Sequence, residues 1–208
     1  MFYRFSIYYI CESKFKGIMQ LVFASNNANK IKEIQILLPN TIQVLSLSDI
    51  GCQEEIPETA ATIEGNASLK ADYVTQKYGY NCFADDTGLE VETLNGEPGV
   101  YSARYAGEQK NADDNMDKLL GNLKGKTNRN AQFKTVIALN LDGKQHIFTG
   151  IINGTIINDK LGNQGFGYDP IFQPEGYQHT FAQLSLQEKA TISHRGLATK
   201  QLLDFLKK

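Results

Sequence analysis

"MQLVFASNNANKIKEIQILLP", residues 19–39, decides the fold class. Its first part, "QLVFAS", is β-branched and aromatic enough to predict a buried strand. "NNAN" supplies turn residues, and in the segment that follows Ile31, Ile34, Leu37 and Leu38 share one helical face until Pro39 closes it. Strand, polar turn and helix in that order open an α/β protein.

Outward from this unit the same grammar continues. "IQVLSL" reads as a second strand, and a loop containing Pro57 leads to a helix in "IEGNASLKADYVTQKYG". There Ala67, Ala71, Val74 and Tyr78 form the apolar stripe, Asn66 and Lys70 lie one turn apart on an adjacent face, and Gly79 ends the helix. In "NCFADDTGLEV", residues 81–91, the apolar run Cys82, Phe83, Ala84 is expected to stop at Asp85 and Asp86 and turn at Thr87 and Gly88. "GLEVETL" then reads as a strand before an Asn95–Gly96 turn, and a long hairpin is expected to reverse at Asp142 and Gly143. The tail predicts two helices, one starting near Ser185 with Glu188 at capping-box spacing, the other from His194 to Leu206. No repeat or low-complexity linker interrupts the pattern. Residues 19–208 are therefore expected to form one domain, with residues 1–18 an extension or the product of an upstream start.

Composition narrows the function. With 21 basic and 23 acidic residues the net charge is -2, and no basic block tracks a phosphate backbone, which argues against polymeric nucleic acid. No apolar run is long enough to span a bilayer, so a membrane role is not expected. The three cysteines, Cys11, Cys52 and Cys82, are odd in number and far apart, which suggests free thiols in the reducing cytoplasm.

Four stretches carry candidate chemistry. The turn before "KIKEIQ" aims free N–H groups and a helix dipole at one spot, with Lys30 adding a full charge, which suits phosphate; it also reads as a plain Asn-rich helix cap. Asp85 and Asp86 side by side exceed what a turn needs, since a carboxylate beside an apolar run is costly unless a cation or water chemistry uses it. "GFGYDP" (165–170) offers close backbone approach, a stacking ring and a carboxylate, or simply a glycine loop over a core Phe. In "EKATISHRG", a helix capped by Ser193 would place His194 and Arg195 where the macrodipole disfavours cations, with Lys189 nearby, so an anion is expected to compensate. His146 and His179 have no metal-ligand spacing with His194.

Taken together and in order, "SNNANK", "GNASLKA", "ADDTGLEV", "PGVYSARYAG", "GFGYDPIF" and "EKATISHRGLA" resemble the inosine triphosphate pyrophosphatase family, from Met19 nearly to the C-terminus. The resemblance implies a long central mixed β-sheet with two lobes, an active-site cleft between them, and a homodimer. It implies Mg²⁺-dependent hydrolysis of ITP, dITP or XTP to the monophosphate and pyrophosphate. By motif, Ser25, Asn26, Asn27, Ala28, Asn29 and Lys30 would line the triphosphate and Lys70 would contact it. Asp86 would be general base and metal ligand, Glu58 would share the metal, and Thr87 would touch substrate. Phe166, Gly167, Tyr168 and Asp169 would hold base and sugar, while Lys189, His194 and Arg195 would meet the base edge. Ser25, Asn26 and Asn27 stand where such families often carry Thr-Gly-Asn. Glu54, Glu55 and Glu64 compete with Glu58 for the metal role.

Overall fold

A computed structural model describes residues 18–207. Most of the 1–18 extension, including Cys11, lies outside the described residues.

The elements run β1 (Met19–Phe23), α1 (Ala28–Gln35), β2 (Ile42–Leu45), α2 (Ile63–Tyr78), β3 (Cys82–Val91), β4 (Pro98–Gly99), α3 (Ala112–Asn122), β5 (Asn130–Leu141), β6 (Lys144–Ile156), β7 (Phe172–Pro174), α4 (Leu186–Ile192) and α5 (His194–Leu206). One mixed sheet orders the strands β2-β1-β3-β5-β6-β7, with β4 beside β3. The β1 pairings with β2 and β3 are parallel, and the remaining pairings are antiparallel.

The opening unit forms as read, except that α1 stops at Gln35, and Ile36 and Leu37 turn toward Pro39. The β5–β6 hairpin reverses at Asp142 and Gly143, whose φ angles of 49° and 76° are those a two-residue hairpin turn demands. Both tail helices stand where expected, α4 with a complete Ser185–Glu188 capping box.

The 82–91 segment departs from expectation. Thr87 and Gly88 form no turn: β3 runs unbroken through both aspartates, each residue from Cys82 to Val91 paired with β5. A strand held on one side by a 12-residue partner tolerates two acids because each charge finds its own environment on opposite faces.

The cleft originates on the other side of β3. There β1 pairs only with Cys82 and Phe83, and β4 only with Leu89 and Glu90. Residues 84–88 lie between the two partners, at the point where the chain's parallel connectivity gives way to antiparallel, the kind of switch point at which open α/β sheets bind ligands. Two lobes result. In one, α2 covers one sheet face through Ala67, Ala71, Val74, Ala84 and Val136, while α1 and α5 cover the other around Phe23, Phe83, Ile137 and Leu202. The second lobe packs Leu89, Phe133, Phe172, Phe181 and Leu119. Strands β3 and β5 contribute to the cores of both.

Candidate functional site

A cavity of about 490 Å³ occupies the split in the sheet. Of the residues singled out above, it is lined by Ser25, Asn26, Asn27, Lys30, Glu58, Lys70, Asp86, Thr87, Phe166, Gly167, Tyr168, Asp169, Lys189, His194 and Arg195. Ala28 and Asn29 are not among its lining residues. As the first residues of α1 they follow Asn27, whose side chain caps the helix by accepting from the N–H groups of Asn29 and Lys30. The cap thus occupies amides that could otherwise have met an anion.

The two aspartates divide the work by face. Asp85 is fully buried toward α1 and α5, with one oxygen 3.0 Å from Lys30 Nζ and the other 2.9 Å from Arg195 Nε. Burial opposes its charge, but Lys30, Arg195 and Lys70 outweigh that and hold its pKa well below the usual carboxylate range. Both of its oxygens are thus engaged by the cations of α1 and α5. Asp86 faces α2 and the cavity, and among the described residues its one ion pair is with Lys70, at 3.7 Å. Burial raises its pKa, with Lys70 and Lys30 opposing only in part.

Lys70, nearly buried on α2, also binds Glu58 at 2.5 Å. Burial disfavours its charge, yet Asp86, Asp85 and Glu58 together raise its pKa. Lys30 is the reverse case, where burial prevails over Asp85 and lowers the pKa. Among the competing acids, Glu54 is drawn away from the cavity by Tyr73, Lys77 and Tyr78, at 2.6–2.7 Å, and Glu64 by Lys134. Glu55 alone joins Glu58 on the cavity wall.

On the opposite wall the expected anionic compensation for the α5 start comes from within the chain. Arg195 pairs with Asp85 and with Glu33 of α1, and Lys189 pairs with Glu33 at 2.7 Å and Asp169 at 2.5 Å. Glu33 escapes sequence reading because "KIKEIQ" looks like a solvated helix face; the signal was the unpaired cations 156 and 162 residues downstream. Asp169 also accepts from the Phe166 N–H at 2.7 Å, which ties the glycine loop to Lys189. The Phe166 ring lies 4.9 Å from Lys189 Nζ and 5.6 Å from the Arg195 guanidinium carbon.

His194 stacks on Phe133 at 4.6 Å and its Nδ1 lies 2.6 Å from Thr135 Oγ1. Thr135 in turn is 2.6 Å from Thr87 Oγ1, which accepts from Arg195 Nη2 at 3.0 Å. Burial pushes the His194 pKa well below the imidazole range, and Arg195 and Lys189 add to this, so the ring is neutral at pH 7. Sequence reading also missed Ser102, Ala103, Lys110, Asn115 and Phe133 on the cavity wall. "PGVYSARYAG" pointed to that wall without singling out a side chain.

Among the described residues no three His, Cys, Asp or Glu side chains converge as a complete metal cage. Asp86 and Glu58, joined through Lys70 on one wall, suit a hard cation that keeps its waters and takes further oxygens from a bound phosphate, which is how Mg²⁺ is ordinarily held.

A split mixed sheet with lysines, carboxylates and stacking rings around the gap defines a two-lobed α/β protein whose cleft suits an anionic, ring-bearing ligand. The chain belongs to the Ham1 family, whose pattern it matches over residues 21–205. It is 76% identical over 189 residues to a dITP/XTP pyrophosphatase of Flavobacterium psychrophilum, covering 91% of this chain and all of that one. Its fold is similar to the Ham1 protein of Staphylococcus aureus (TM-score 0.83, 43% identity, 90% of this chain and 98% of the other). It is similar as well to a HAM1 protein from Coxiella burnetii (TM-score 0.84, 37% identity, 91% and 98%).

Proposed function

We propose that this protein hydrolyses deaminated purine nucleoside triphosphates, dITP, XTP and ITP, to the monophosphate and pyrophosphate in the presence of Mg²⁺. The observation that carries the reading is Asp86: a mostly buried carboxylate facing the cavity, with a single lysine for company and Glu58 on the same wall. Such a group is available both to hold a cation and to take a proton from water. The relatives' names support the substrate class.

In this reading Asp86 orients and deprotonates a water attacking the α-phosphorus. Lys30 and Lys70 meet the charge that grows on the non-bridging oxygens and the departing pyrophosphate. Mg²⁺ held by Asp86 and Glu58 would supply Lewis-acid stabilisation of the same charge. Ser25, Asn26 and Asn27 offer polar groups to the triphosphate. The Phe166 ring stacks on the purine, and His194, whose Nδ1 is taken by Thr135, presents its other ring nitrogen to the base edge. Lys189 and Arg195, already paired, position Phe166 and Thr87. A 6-keto acceptor suits such surroundings better than a 6-amino donor, because the wrong base leaves buried polar groups unpaired.

The test is pyrophosphate release from dITP, XTP, ITP, GTP, ATP and dUTP, with and without Mg²⁺. Pyrophosphate from the first three, dependent on Mg²⁺, is expected; orthophosphate as the product would overturn the assignment. We further propose a cytoplasmic homodimer. The described Cys52 and Cys82 are free thiols, and no described helix is long and apolar enough to cross a membrane. Sedimentation at the mass of one chain would refute the dimer.

A further inference from the structure

Five cationic side chains line the cavity: Lys30, Lys70, Lys110, Lys189 and Arg195. Four of them are already answered by carboxylates, namely the buried Asp85, Asp86, Glu33 and Asp169 and the more exposed Glu58. A ligand carrying about four negative charges would therefore enter a site whose inner cations are largely neutralised.

Lys110 differs. It comes from the other lobe, between the 102–104 turn and α3, and its backbone is held at φ 52°, a conformation that lysine rarely enters. Its N–H donates to Gly107 O at 3.2 Å, which fixes that bend. From there its ammonium reaches to Glu55, 3.4 Å away on the loop that also carries Glu58. The Glu55 side chain is 88% exposed and that of Lys110 52% exposed, so this is the most weakly held ion pair on the cavity wall.

We infer that Lys110 is a substrate-binding residue, which exchanges Glu55 for the terminal phosphate of a nucleoside triphosphate and so selects triphosphates over shorter chains. The inference rests on the reading of the cleft as a triphosphate site. A phosphate dianion attracts an ammonium more strongly than an exposed carboxylate does, and the exchange gives up little. Lys110 and Glu55 sit on loops of different lobes, so their pair bridges the mouth of the cleft before the exchange.

The experiment titrates inorganic tripolyphosphate and dIMP, with Mg²⁺, into the wild-type chain and into Lys110→Ala, Lys110→Arg and Glu55→Gln by calorimetry, alongside dITP kinetics. Lys110→Ala should weaken tripolyphosphate about tenfold while dIMP, which lacks the terminal phosphate, changes little, and should raise KM for dITP by a similar factor with kcat nearly unchanged. Lys110→Arg should restore most of the loss, and Glu55→Gln should tighten tripolyphosphate by removing the competing carboxylate. Unchanged tripolyphosphate affinity in Lys110→Ala, an equal loss for dIMP, or no binding of tripolyphosphate to the wild type would each overturn the inference. A wild type that binds tripolyphosphate but releases no pyrophosphate from any nucleotide would instead sink the proposed reaction, and the calorimetric comparison would still decide the role of Lys110.

Discussion

Asp85 and Asp86 share a backbone and almost nothing else. Asp85, with both oxygens on buried cations, holds α1, β3 and α5 together; Asp86, with one lysine at 3.7 Å, carries desolvation that nothing in the chain fully offsets. Replacing either with Asn should separate the two roles. Asp85→Asn breaks a buried network by one partner and is expected to cost about 3–5 kcal/mol of stability. Asp86→Asn should keep or raise Tm in the absence of metal, since it removes an under-compensated charge, while lowering kcat roughly a hundredfold or more. Thermal denaturation and pyrophosphate release on both variants check this, and a destabilised, active Asp86→Asn would contradict it.

At the scale of elements, what places His194 and Arg195 is how closely α5 lies on β6. A Cβ built at Gly150 of β6 would collide with the carbonyl oxygen of His194 and come within 2.6 Å of the Ala198 nitrogen. The first turn of α5 therefore rests directly on strand backbone, and Ser193 Oγ caps it by accepting from the Gly196 N–H at 3.1 Å. Gly150→Ala should push α5 outward and displace the Arg195 contacts to Asp85 and Thr87. It is expected to destabilise the fold by about 1–3 kcal/mol, as overpacking does, and to lower kcat although Gly150 touches no ligand. Denaturant titration paired with steady-state kinetics would show it; a variant with normal turnover would mean that α5 can shift without moving its side chains.

For the whole molecule, the cleft is a charged seam between two hydrophobic lobes, and stability depends on the protonation of groups inside it. His194 is buried against Phe133 on β5, faces Thr135 of the same strand, and has Arg195, Lys189, Asp85 and Lys30 as its charged neighbours. Its pKa in the folded chain is depressed below the unfolded value near 6.5, so the fold favours the neutral ring. That stabilisation is fully present above about pH 6.5 and is lost as pH falls from there toward the depressed folded value. Unfolding free energy should therefore decline between about pH 6.5 and 5, and His194→Gln should flatten that slope. Urea titrations at stepped pH measure it, and an unchanged slope in the variant would assign the acid sensitivity elsewhere.

Local physics made much of the architecture legible in the sequence. Periodicity marked α2 and α5, the Asp142–Gly143 pair fixed the hairpin, and Ser185 with Glu188 announced α4. These signals are read within a few residues, where capping and turn chemistry act. The cations of "EKATISHRG" at a helix start likewise told that something anionic must compensate them. Which carboxylates could not be read, because Glu33 becomes buried only when α1 packs beside α4 and α5. The same holds for the straight run of β3 through Thr87 and Gly88: a twelve-residue neighbouring strand overrode what looked like a turn. Sequence by itself determined most of the elements, though not α3, β4 or β7, and the kinds of side chain that needed one another; tertiary structure decided which faces met, since burial and distance, not residue type, set the partner of each charge.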